Sequence, residues 1–83
     1  MTREERRQLA LAKAREAREA MLQAVDALER AAVALCSVRG AGDEYHDLVD
    51  RRSDLLAFTE GMTESLAAKS AELDMAPHFR RAS

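Results

Sequence analysis

Few side chains in this chain are of the kinds that do chemistry. The cysteine is Cys36, the histidines are His46 and His78, and acids gather in "DEYHD", Asp43 to Asp47. A catalytic thiol needs a base or a cation to hold it as thiolate. Arg39 and His46 follow Cys36 in sequence, yet no oxyanion site or base arrangement is implied. Cys36 therefore reads as a small, half-buried core residue beside the turn. A metal site needs ligands at a recognised spacing, and the two histidines lie far apart. Asp43 and Asp47 share a helical face while His46 points elsewhere, and acids suit a helix start without any metal. The expectation is no catalytic residue, no metal and no cofactor: not an enzyme.

The remaining polar patterns point to surfaces. Asp43, Asp47, Asp50 and Asp54 step by four, three and four, which makes an acidic stripe. Such a stripe reads as a solvated face, or more sharply as a docking surface for a basic partner. Arg3, Arg6, Arg7, Lys13, Arg15 and Arg18 crowd the first arm, but Glu4, Glu5, Glu16 and Glu19 are interleaved. No aromatic side chain sits among them to stack on a base, which counts against nucleic acid as a partner. The tail "PHFRRAS" offers Phe79 as an anchor and a kinase-like "RRAS" ending at Ser83.

These residues must be positioned by helices. The chain has 83 residues, 47 % hydrophobic and 34 % charged, with three aromatics, Tyr45, Phe58 and Phe79. Alanine and leucine supply most of the rest, a composition that leans to long helices and lacks the β-branched runs of strands. A single small domain is expected, with no internal disulfide because there is one cysteine. So short a chain buries little core, and a partner is the remaining source of stability. The N-terminus has no continuous apolar run, and no signal peptide or membrane span is expected; the chain reads as cytoplasmic. Residues 1–39 carry eight Lys/Arg and six Asp/Glu, a net of +2, against three and nine in residues 40–76, a net of −6. The opposite signs favour folding one arm on the other.

Thr2 and Glu5 have the spacing of a capping box, which starts a first helix at Arg3. Nothing interrupts the pattern to Val38. Gly40 and Gly42 then stop it, since glycine readily takes the left-handed conformation. Asp43 is a good second N-cap, and Pro77 ends the second arm. The expectation is an all-α, antiparallel, coiled-coil-like hairpin: helix one over about residues 3–38, a turn over 39–43, helix two over about 44–76 and a tail over 77–83.

A heptad-like seam on arm one runs through positions 10, 14, 17, 21, 24, 28, 31, 35 and 38, with alanine returning at Ala10, Ala17, Ala24 and Ala31. Ala20, Ala27 and Ala34 flank it on one side, Val25 and Ala32 on the other. Arm two reads as less regular, because Arg52, Thr59 and Lys69 interrupt its seam. Its candidates for burial are Tyr45, Leu48, Val49, Leu55, Leu56, Phe58, Met62, Leu66 and Leu73. Ala57, Gly61, Ser65 and Ala68 form a second strip of small residues. Two helices thus offer more apolar surface than one seam can cover. The excess must meet further helices, from a second copy or from a different protein.

Two resemblances follow from quoted stretches. "SAELD", Ser70 to Asp74, resembles the Ser-x-x-x-Asp of helical-hairpin phosphatases that act on sporulation response regulators. The longer stretch "AREAREAMLQAVDALERAAVALCSVRGAGDEYHDLVDRRSDLLAFTEGMTESL", Ala14 to Leu66, resembles the small E-type co-chaperones of type III secretion needle subunits. These bacterial proteins are similar in length and form helical hairpins. A segment like "AREAMLQAVDALE" precedes their turn, and a Tyr, here Tyr45, opens helix two. Members often have Pro in the turn, whereas this chain has Gly-Ala-Gly-Asp. The resemblance implies a non-enzymatic chaperone function. The hairpin would pack on a tetratricopeptide-like partner chaperone, and the pair would hold the secreted needle subunit soluble in the cytoplasm.

The residues expected to bind a partner, or to close the hairpin, are Met21, Val25, Leu28, Ala32 and Leu35 on arm one. On arm two they are Tyr45, Leu48, Leu55, Phe58 and Met62. Sequence does not divide the two roles. The rival expectation is a homodimeric four-helix bundle that binds RNA, DNA or a response regulator.

Overall fold

Thr2 begins the first helix as the capping box requires. Its hydroxyl accepts from the Glu5 amide at 3.1 Å, and the Glu5 carboxylate accepts from the Thr2 amide at 2.8 Å. Two of the donors that a helix start leaves unpaired are thereby satisfied. The computed structural model describes residues 1–75, as two helices, α1 (Arg3–Leu35) and α2 (Gly42–Ala68), followed by a 3₁₀ turn at Ser70–Glu72. The arms pack against one another as an all-α helical hairpin.

Both helices are shorter than their sequence pattern. α1 stops at Leu35, three residues before Val38. Cys36 and Val38 close the last turns with amide bonds to the Ala32 and Leu35 carbonyls, and among the described residues Gly40 alone takes a positive φ, of 92°. Crossing to a second helix some 8–10 Å away needs more chain than the two glycines provide. The reversal therefore begins upstream, on 3₁₀-type bonds. Gly42 is the first residue of α2 rather than part of the stop. The N-cap is Ala41, which has no side-chain cap bond, so Asp43 joins Glu44 in the first turn instead of capping it. There both acids face the positive end of the helix dipole.

α2 ends at Ala68, well before the expected end near Ala76, which with Pro77 lies outside the described residues. Beyond the 3₁₀ turn the backbone is extended at Leu73. Two arginines of α1 draw this segment across the open end: Arg7 Nε donates to the Ser70 carbonyl at 3.1 Å, and Arg6 Nε to Asp74 Oδ1 at 2.9 Å. His78, Phe79, Arg80, Arg81 and the "RRAS" motif also lie outside the described residues.

The seam on α1 is displaced by about one residue from the alanine ridge. Its half-buried and buried positions include Leu11, Ala14, Met21, Val25, Leu28, Ala32 and Leu35, whereas Ala17, Ala24, Ala31 and Val38 are exposed and Ala10 is half-buried. Spacing alone does not choose between the two registers; size does. Leu11 and Val25 remove more apolar area from water than the alanines that alternate with them.

The α2 seam is regular once its polar members are included. Tyr45, Leu48, Arg52, Leu55, Thr59, Met62 and Leu66 are all at least half-buried, and the steps alternate three and four. Thr59, which interrupts the seam as read from sequence, is the most buried residue described, at 1 % exposure. Its hydroxyl donates to the Leu55 carbonyl at 2.7 Å, so its polar atom is paired within the helix and its methyl group can pack. Arg52 lies half-buried in the seam, with Nη2 3.4 Å from Glu29 of α1 and a buried Nε that has no hydrogen-bond partner. Lys69 is exposed and follows the end of α2.

Candidate functional site

The residues that could have done chemistry do not converge. Cys36 is exposed rather than half-buried, because α1 ends one residue before it; its thiol donates to the Val33 carbonyl at 2.9 Å. His46 meets the edge of the Tyr45 ring, with centroids 5.4 Å apart. Among the described residues, no three His, Cys, Asp or Glu side chains gather as a metal site. The Ser-x-x-x-Asp pattern loses its helix. Ser70 opens a 3₁₀ turn with its carbonyl taken by Arg7, and Asp74 follows an extended residue and is paired with Arg6. That ion pair, with the Met75 amide, holds the Asp74 carboxyl below its ordinary range. Of the six basic residues between Arg3 and Arg18, Arg6, Arg7 and Lys13 are committed to Asp74, Glu4 and Glu16.

What remains is surface, and the hairpin has two broad faces. Of the ten residues expected at an interface, Met21, Val25, Leu28, Ala32, Leu35, Tyr45, Leu48, Leu55 and Met62 lie along the seam, where each is half-buried or buried. Phe58 differs: it points away and is 63 % exposed. The structure thus separates positions that sequence left together.

Phe58 continues the row of the acidic stripe. Asp43, Asp47, Asp50, Asp54, Phe58, Gly61 and Ser65 step by three and four along one side of α2, and all are exposed. A Cβ built on Gly61 would meet nothing within 4 Å, so no part of the hairpin packs there. On α1 the exposed alanines at 17, 20, 24, 27, 31 and 34 lie to the same side of the seam. This face therefore combines one large aromatic, an alanine ridge that permits close helix approach, and an acidic edge near the turn.

The opposite face carries a groove between the helices. Two adjoining depressions, of about 160 and 280 Å³, share Arg18 and Thr63. Leu11, Leu22, Leu56 and Leu66 supply its apolar walls, Arg15 and Arg18 its α1 edge, and Glu60 and Glu64 its α2 edge. Sequence reasoning missed this groove, because Leu22 falls outside the alanine seam. A signal was present: Leu11, Leu22 and Val33 recur every eleven residues, which is about three turns and keeps them on one side of the helix. No described helix is long and apolar enough to cross a membrane. No family model, curated protein or solved structure matches the chain.

Proposed function

We propose that this chain is a non-enzymatic, protein-binding helical hairpin that acts in the bacterial cytoplasm as a co-chaperone of type III secretion. It packs on a tetratricopeptide-like partner chaperone and helps to keep an export-bound needle subunit soluble. The observation that carries the reading is Phe58: a large aromatic at 63 % exposure, beside a small-residue ridge, on a hairpin whose only buried apolar side chains are Val25 and Ala32 among the described residues. An aromatic of that size is the usual anchor of a helical interface. The acidic edge formed by Asp43, Asp47, Asp50 and Asp54 commits the occupant of this face to a helix with basic residues along one flank.

The test is co-expression with a tetratricopeptide-type chaperone and a needle subunit encoded in the same genome. The wild-type hairpin is expected to co-elute with them on size exclusion and to raise the soluble yield of the needle subunit. Phe58→Asp is expected to keep its helicity and to lose co-elution. Solubility of the needle subunit that is indifferent to the hairpin overturns the reading, and so does undiminished co-elution of the variant.

A further inference from the structure

We infer that the groove face, opposite Phe58, is covered by a second copy of this chain, in a four-helix bundle whose two-fold axis runs along the hairpin. The inference stands apart from the partner proposed for the Phe58 face and concerns the chain alone.

The argument begins with register. Arg7 is bonded to Ser70, Arg18 lines the groove with Glu60, and Glu29 is paired with Arg52, so each of these pairs stands at one level of the hairpin. Residues further along the groove face follow from the helical repeat. Val33 lies three turns beyond Leu22 on α1, and Val49 lies two turns before Leu56 on α2, so both continue this face. By the same register Val33 and Val49 are level with one another. They are 61 % and 40 % exposed, among the most exposed large apolar side chains of the hairpin.

Reading up the two edges gives a self-complementary pattern. Arg15 and Arg18 on α1 are level with Glu64 and Glu60 on α2, Leu22 with Leu56, and Val33 with Val49. A two-fold axis parallel to the helices lays α1 of one copy over α2 of the other without changing level. Arginine then faces glutamate, leucine faces leucine and valine faces valine, and symmetry repeats each contact. Every neighbouring pair of helices is antiparallel, as in up-down-up-down bundles. Turned end for end, the same face sets α1 against α1 and removes both arginines from the glutamates. Charge therefore selects one arrangement.

The area is also sufficient. A strip two helices wide, each about 10 Å across, and about 36 Å long offers roughly 700 Å² per copy. Stable interfaces use roughly 600–1,000 Å² per partner.

The experiment is light scattering on the purified chain, with circular dichroism to confirm the fold. Wild type is expected at twice its 9.2 kDa chain mass. Arg18→Glu and Glu60→Arg, each alone, place like charges against each other twice per dimer. Each variant is expected to stay helical while its dimer dissociation constant rises by on the order of tenfold or more. An equimolar mixture of the two is expected to regain the dimer mass. In that mixture the introduced glutamate of one chain meets the introduced arginine of the other, and the native Arg18 and Glu60 meet in the same way. Both contacts join different chains, so recovery reports an intermolecular contact and not a repaired monomer. A wild-type monomer, single variants that dimerise like wild type, or a mixture that stays monomeric each overturn the inference. None of these outcomes bears on Phe58, so the two proposals fail separately.

Discussion

Arg7 of α1 donates through Nε to the main-chain carbonyl of Ser70, 3.1 Å away, and thereby ties the end of the second arm to the start of the first. The Ser70 carbonyl also accepts the Leu73 amide at 3.4 Å, so Arg7 supplies the shorter of its two bonds, and a cation just beyond α2 meets the negative end of that helix's dipole. The arginine is half-buried, and its other contact, to Glu4, is at the surface. Arg7→Ala is expected to cost about 1–2 kcal/mol in a thermal melt, in line with a charge-assisted hydrogen bond. Amide exchange should quicken first at Glu72 and Leu73, whose amides bond back to Lys69 and Ser70. Unchanged exchange there means that the 3₁₀ turn stands without Arg7.

The polar members of the α2 seam are open to replacement. Thr59 is buried with its hydroxyl bonded to its own helix, and Arg52 holds a buried Nε without a hydrogen-bond partner. Thr59→Val keeps the shape and removes an oxygen that nothing outside the helix uses. It is expected to melt within about 1 kcal/mol of wild type, whereas Thr59→Ala opens space in the seam and should cost about 1–2 kcal/mol. Arg52→Leu is expected to raise the melting temperature, because a partly desolvated cation with a long ion pair gives way to apolar packing. A lower melt for Arg52→Leu gives the pair with Glu29 more weight than its 3.4 Å separation suggests.

Much of the fold was legible in the sequence, and the limits have physical causes. The capping box at Thr2 and Glu5 and the reversal around Gly40 depend on local chemistry, which spacing reveals. The seam on α1 does not: the series through Ala17, Ala24 and Ala31 and the series through Leu11, Val25 and Ala32 both obey the heptad. Periodicity fixes a repeat, while its phase is decided by which side chains bury more area. Thr59 misled for a related reason, since a hydroxyl looks polar in sequence even when its own helix satisfies it. The separation of Phe58 from the other nine interface candidates needed that phase first.

Gly61 gives a direct measure of whether the Phe58 face is free in the isolated chain. It sits inside α2, and a methyl group there would touch nothing. Gly61→Ala is expected to stabilise the hairpin by about 1 kcal/mol through helix propensity alone. If the variant is instead less stable, a second chain already packs closely on that glycine in solution.

Acid should loosen the two ends of the open side. The Glu5 carboxyl is held below its ordinary value of 4.5 by the Thr2 amide first and the Thr2 hydroxyl second. Asp74 is held below 3.8, chiefly by the hydrogen bond from Arg6. A carboxylate depressed in the folded state contributes stability above its unfolded pKa and loses it as pH falls through the folded value. Helicity is therefore expected to be flat above about pH 5 and to decline below about pH 4. Glu5→Gln and Asp74→Asn keep an acceptor but cannot titrate at those sites, so their profiles should be flatter over that range. Circular dichroism against pH makes the comparison, and identical slopes in all three proteins count against these two carboxylates.

Leu28 and Ala24 lie one helical turn apart on α1 and belong to different surfaces. Leu28 is half-buried in the seam, and Ala24 is exposed on the alanine ridge. Leu28→Asp places a carboxylate between the arms and is expected to cost roughly 3 kcal/mol, enough to unfold a hairpin with so small a core. Ala24→Leu has the opposite profile. The isolated chain should melt within about 0.5 kcal/mol of wild type, since a surface substitution disturbs no packing inside the hairpin. Co-elution with the proposed partner should nevertheless weaken, because a leucine on the ridge pushes away a helix that approaches over alanine. The self-pairing through the groove, on the other face, should survive. If Ala24→Leu destabilises the chain by itself, the alanine ridge is already packed against a helix in the free protein, and the second copy sits on the Phe58 face instead of the groove.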